Sequence, residues 1–192
     1  MKLHRILTGS IAALLTATPI AAHAQAISIN STSTLNQNFD TLGTASAAWT
    51  DNSTLAGWYA EINDALTADG TLQVSDGSAV LSGLLNLGSI ALPGDRALGS
   101  RTTGGGGNAN IAYGVLFQNT STGAITITNI GYTAELWRSN DTVTAEQWFT
   151  YFQKSSTPIT DLDSGANAGA PLAGAFTALP ALNWTSPIAS KP

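Results

Sequence analysis

The sequence predicts an all-β protein, a single β-sandwich of jelly-roll-like type, and three observations predict it. Short runs with two-residue periodicity recur along the chain, separated by Gly, Asn, Asp and Pro. Beyond the first two dozen residues no segment sustains the 3.6-residue apolar stripe of a helix. Thr, Ser, Asn, Gly and Ala dominate while only 10% of residues are charged, a composition common among exported β-proteins.

In chain order, residues 1–24 read first, as a secretory signal peptide. Lys2, His4 and Arg5 precede an apolar stretch, and Ala22-His23-Ala24 supplies a small-residue cleavage pattern before Gln25. The expected location is therefore extracellular or at the cell surface. No later segment reaches the roughly 18 uninterrupted apolar residues of a membrane span, so none is expected in the mature chain. Residues 25–192 are expected to form one domain, long enough to bury a core without disulfides.

Removing the leader decides much of the chemistry. Residues 25–192 keep five Lys/Arg against twelve Asp/Glu, a net charge of −7, which disfavours nucleic acid as a partner. Both histidines lie in the leader and the chain has no cysteine. A Ser-His-Asp triad, a Cys nucleophile, a disulfide and a His/Cys zinc site are all excluded from the mature chain. A non-catalytic protein is the expectation.

The strand-like runs are "AISIN" (26–30), "GWYAEIN" (57–63), "TLQVS" (71–75), "IAYGVLFQN" (111–119), "AITITNIGYTAELWR" (124–138) and "EQWFTYFQK" (146–154). In 124–138 the apolar phase flips after Ile127, so a bulge near Asn129-Ile130 is expected. One stretch, "SAVLSGLLNLGSI" (78–90), has helix-like spacing, weakened by Gly83 and Gly88. The run "RTTGGGGNAN" (101–110) matches a dinucleotide fingerprint at Gly104, Gly106 and Ala109. That chemistry needs a helix to start at the glycines, but the residues that follow alternate as a strand, so a connection between strands is expected. A P-loop fails as well, for want of a following Lys-Ser or Lys-Thr.

Two surfaces carry candidate chemistry. If "SNDTVT" (139–144) turns the chain with Arg138 opposite Ala145, then Glu135, Trp137, Glu146 and Trp148 share one sheet face. Three readings of that face stand together. The tryptophans pack, with Glu135 or Glu146 paired to Arg138; or they stack on sugar rings while the carboxylates accept hydroxyl hydrogen bonds. In the third, Glu135 and Glu146 act as the acid and nucleophile of a glycosidase. Separately, Asp161 and Asp163 in "DLDSG" form a weak calcium candidate, against a solvated turn, and no other cofactor is expected. Asn-x-Ser/Thr occurs at several positions, among them Asn30, Asn52, Asn119 and Asn183, as expected by chance in so Asn- and Thr-rich a chain.

Four segments in order, "QNFDTLGTASAAWTDNSTLAGWYAEI" (37–62), "DRALGSRTTGGGGNANIAYGVLFQNTS" (95–121), "YTAELWR" (132–138) and "FTALPALNWTSP" (176–187), carry a resemblance across most of residues 36–187. Together they resemble a family of exported bacterial β-sandwich modules, found in PEP-CTERM-sorted surface proteins and at the front of secreted multidomain proteins such as extracellular nucleases. The resemblance implies no catalytic activity for the module, and it implies that the Glu-x-Trp-Arg strand is a structural signature. It also implies a further pair of strands beyond Pro192, so a sandwich short of its last strands is expected. The function expected is extracellular binding or a structural role, with glycan or cell-envelope components as partner. The alternative is an accessory module of a secreted nuclease or phosphatase whose catalytic domain lies outside this chain.

Overall fold

The computed structural model describes residues 26–62, 70–89, 94–102, 111–138, 145–157, 159, 162 and 176–187. The leader, the four glycines, the "SNDTVT" turn and the calcium candidates Asp161 and Asp163 all lie outside them.

The described chain is all-β, with open sheets and only two short 3-10 helices, Asp40–Leu42 and Pro180–Leu182. Its strands are β1 (Ile27–Ile29), β2 (Ala47–Ala48), β3 (Trp58–Ile62), β4 (Thr71–Ser75), β5 (Gly83–Leu87), β6 (Ala97–Arg101), β7 (Ile111–Val115), β8 (Phe117–Asn119), β9 (Gln147–Trp148), β10 (Tyr151–Phe152), β11 (Thr177–Ala178) and β12 (Trp184–Thr185). One layer is a four-stranded sheet in the order β2-β4-β5-β6, with β4 and β5 parallel and the other pairs antiparallel. The second layer is built on the antiparallel pair β3-β7, which meets Trp58 with Val115 and Ile62 with Ile111.

A single residue extends that second layer. Leu116, between β7 and β8, donates its N–H to the Gly57 carbonyl, and its own carbonyl accepts from the Ile27 N–H. One side of the chain thus pairs with β3, and β8 then runs parallel to β1. Gly57, at φ +78°, makes the handover possible, because a Cβ there would lie 2.5 Å from Ile27 Cγ1.

The core sits between the layers. Ala60 of β3 meets Leu72 of β4, Leu84 of β5 and Leu98 of β6, with Trp49 and Leu55 from the preceding loop. Trp58, Ile62, Ile111 and Tyr113 line its rim. β5 is buried along its whole length, which explains why "SAVLSGLLNL" lacks a clean strand alternation. A strand covered on both faces reads as a continuous apolar run.

The flanks of the glycine run are strands as expected, β6 before it and β7 after it. They do not pair with one another: β6 ends the four-stranded sheet and β7 pairs with β3. The connection over 102–110 therefore leads from one layer to the other.

Two expectations are corrected. Residues 124–138 form no strand, and residues 146–154 form only the two-residue strands β9 and β10. The hairpin expected between them is absent as well. β9 pairs with β12, setting Trp148 opposite Trp184, while β10 pairs with β11. The register that would place Glu135 opposite Trp148 and Trp137 opposite Glu146 is not formed: residues 124–138 are not a strand, and β9 pairs with β12.

Candidate functional site

Residues 146–152 and 177–186 run as one interrupted antiparallel ribbon. Ser186 N–H donates to the Glu146 carbonyl, and Ser186 Oγ accepts from the Glu146 N–H, both at 2.9 Å. In the middle, the helix Pro180–Leu182 breaks the ladder, and side chains bridge the gap. Thr150 N–H donates to Asn183 Oδ1 at 2.9 Å, while Thr150 Oγ1 donates to the Leu182 carbonyl at 2.9 Å. Pro180 at the start of that helix lacks the N–H that a strand would need, so the break is written in "ALPAL".

The ribbon presents an aromatic cluster. Trp148 and Trp184 are directly opposite across the strands and both are half-buried. Tyr113 of β7 meets the Trp148 ring edge-on, with centroids 5.6 Å apart and planes at 67°. The exposed Tyr132 donates its hydroxyl to the Leu182 carbonyl, which also receives Thr150. Burial, and then the nearby Tyr132 phenol, push the Tyr113 hydroxyl far above the usual tyrosine range. Tyr113 also touches the core, so the shelf formed by Trp148 is anchored from below.

Trp137 lies in other company. Its indole N–H donates to Glu135 Oε2 at 2.9 Å, within one exposed stretch of chain. Beside it, Arg138 Nη1 donates to the carbonyls of Gly77 at 2.9 Å and Ser78 at 2.7 Å. This arginine holds a turn, where an ion pair with Glu135 or Glu146 is one of the expected arrangements. Gly77, at φ +82°, lies so close that a Cβ would come within 2.1 Å of the Trp137 carbonyl oxygen. The segment 137–138 is thus seated on the 77–78 turn, and the contacts of Trp148 are with Tyr113 and β12.

Of the four predicted site residues, the structure joins Glu135 to Trp137, and Trp148 to two aromatics that the sequence reading did not select, Tyr113 and Trp184. Trp184 follows a Pro- and Ala-rich stretch in a two-residue strand too short for any periodicity to show. Tyr113 and Tyr132 read as ordinary members of alternating runs. Glu146 contributes its backbone to the ribbon. Among the described residues, no group of three or more His, Cys, Asp or Glu is placed to hold a metal ion. Among them, too, no helix is long and apolar enough to cross a membrane. Comparison of the chain with protein-family models, with curated proteins and with solved structures finds no match.

Proposed function

We propose that this chain is an exported, non-catalytic binding module that takes neutral glycan of the cell envelope or extracellular matrix on the aromatic shelf of Tyr132, Trp148 and Trp184. The observation that carries the reading is the cross-strand Trp148–Trp184 pair, half-buried and held from below by Tyr113. Flat apolar rings with hydrogen-bonding rims match the C–H faces of sugars and their equatorial hydroxyls. No Lys or Arg occurs in 145–153 or 176–187, so nothing in the ribbon offers a partner to a uronate or sulfate group. The signal-like residues 1–24 and the lack of His and Cys after residue 24 support the exported, non-catalytic part of the reading.

Affinity electrophoresis through gels holding neutral or anionic polysaccharide tests it. The protein is expected to be retarded by one or more neutral polymers and not by polyuronates. Trp184→Ala and Trp148→Ala should abolish the retardation while circular dichroism stays native, and Trp137→Ala should leave it intact. Free migration of the wild-type chain in every neutral gel, or retardation that survives both shelf substitutions, would overturn the proposal.

A further inference from the structure

The ribbon that carries the shelf holds an insertion. Between the Trp148–Trp184 pair and the Tyr151–Ala178 pair one strand advances three residues and the other six, so three extra residues stand on the 177–186 side. They coincide with the helix Pro180–Leu182. Bulges in a ladder re-aim side chains and gather beside functional sites. This one leaves two exposed side chains with a fixed hydrogen-bonding character. The Leu182 carbonyl receives the hydroxyls of both Tyr132 and Thr150, which fills its two lone pairs. Tyr132, 54% exposed, has thereby committed its proton and offers its oxygen only as an acceptor. Asn183, also exposed, accepts the Thr150 N–H on its amide. A backbone N–H only donates, so Oδ1 is the atom held against the ribbon and Nδ2 the one left over. Among the described residues Nδ2 has no acceptor, and it offers only N–H donors.

We infer that Tyr132 and Asn183 form the specificity corner of the shelf and select glycans that carry an acetamido group, as polymers of N-acetylhexosamine do. The inference rests on the glycan reading and narrows it. A sugar hydroxyl rotates to donate or accept as its partner requires, so a partner of fixed character discriminates little among hydroxyls. An amide has a fixed character of its own: its carbonyl only accepts and its N–H only donates. The acetamido carbonyl takes a proton from Asn183 Nδ2, and the acetamido N–H donates to the Tyr132 oxygen. Its methyl group is apolar and suits the indole of Trp184, the residue next to Asn183. The group is also uncharged, which suits a ribbon with no Lys or Arg in 145–153 or 176–187. A site built to hydrogen-bond one substituent discriminates against the analogue that lacks it, because its polar groups are then left without partners.

Affinity electrophoresis of the mature protein in two gels tests the idea. One holds hydroxyethyl cellulose and the other glycol chitin, β-linked polymers that differ chiefly in the acetamido group. The wild-type chain is expected to be retarded in both, with an affinity about tenfold higher for the acetylated polymer. Asn183→Asp keeps an oxygen for the Thr150 N–H but replaces the Nδ2 donor with an acceptor, and Tyr132→Phe removes the acceptor oxygen. Each variant should bring the two affinities level while its circular dichroism spectrum stays native. Equal retardation of the wild-type chain in the two gels would overturn the inference and leave the shelf reading standing. A preference for the acetylated polymer that survives in either folded variant would overturn it as well. Free migration of the wild-type chain in both gels and in every other neutral one would remove the shelf reading, and this inference with it.

Discussion

Asn86 is fully buried, in the middle of the apolar strand "GLLNL", and every polar atom of its side chain is used. Its amide donates to the carbonyls of Leu42 and Gly43, at 3.2 and 3.0 Å, and its Oδ1 accepts from Arg96 Nε at 2.8 Å. Arg96, itself buried, returns a bond from Nη2 to the Asn86 carbonyl, and its N–H donates to Asp40 Oδ1. One amide thus ties the 40–43 turn to β5 and to Arg96. Asn86→Leu keeps the volume but deprives the buried Arg96 Nε and two carbonyls of their partner, so it should cost about 2–4 kcal/mol in urea unfolding. The double variant Asn86→Leu/Arg96→Met should recover part of that loss, because it removes both ends of the buried pair. Four other asparagines show how a residue pattern carries shape. In these four Asn-x-Ser/Thr sites among the described residues the asparagine Oδ1 accepts a backbone N–H: Asn30 from Thr32, Asn52 from Gly57, Asn119 from Ser121 and Asn183 from Thr150. The pattern recurs because asparagine shapes the turns and bridges the gaps.

At the scale of elements, the sequence was readable wherever local pattern and tertiary partner agree. "TLQVS" is β4 residue for residue, and "GWYAEIN" contains β3. "AITITNIGYTAELWR" has a stronger period of two than either, yet it makes no strand. Alternation records that a segment can pair, and strand formation needs a neighbour in register. The converse holds in the 146–152/177–186 ribbon, where two-residue strands persist because Ser186, Asn183 and Thr150 supply side-chain bonds that a pattern search does not see. This is why half of the predicted glycan-binding face, Glu135 and Trp137, parted from Trp148. The energetic weight of the fold lies in β4, β5 and β6. Leu84, 1% exposed, is enclosed by Ala60, Leu72 and Leu98. Leu84→Ala leaves a cavity between both layers and should destabilise the protein by about 3 kcal/mol, read from the denaturation midpoint at constant slope.

For the whole molecule, two buried phenols on the two faces of the β3-β7 pair resist ionisation, and this gives a prediction for its alkaline limit. Tyr59 and Tyr113 stand on opposite faces of the β3-β7 pair, since Tyr113 is opposite Ala60 and Tyr59 is opposite Gly114. Burial raises the pKa of both phenols; the carboxylate of Asp51 adds to the effect at Tyr59, and Tyr132 adds to it at Tyr113. A pKa raised on folding stabilises the protein fully below the unfolded-state value of 10.0, and this contribution is lost as the pH climbs through the folded-state value. Above pH 10 the unfolded chain releases protons that the folded chain retains, so stability must fall steadily with alkali. Phenolate from these two residues is therefore expected to appear together with loss of the β-sheet circular dichroism signal. Tyr113→Phe removes the larger of the two couplings and should move the alkaline unfolding midpoint to higher pH. Tyr59→Phe should do the same with no loss at neutral pH, because the buried Tyr59 hydroxyl has no hydrogen-bond partner among the described residues to give up. Complete tyrosine ionisation while the sheet signal stays native would show that the burial of these two phenols does not set the alkaline limit.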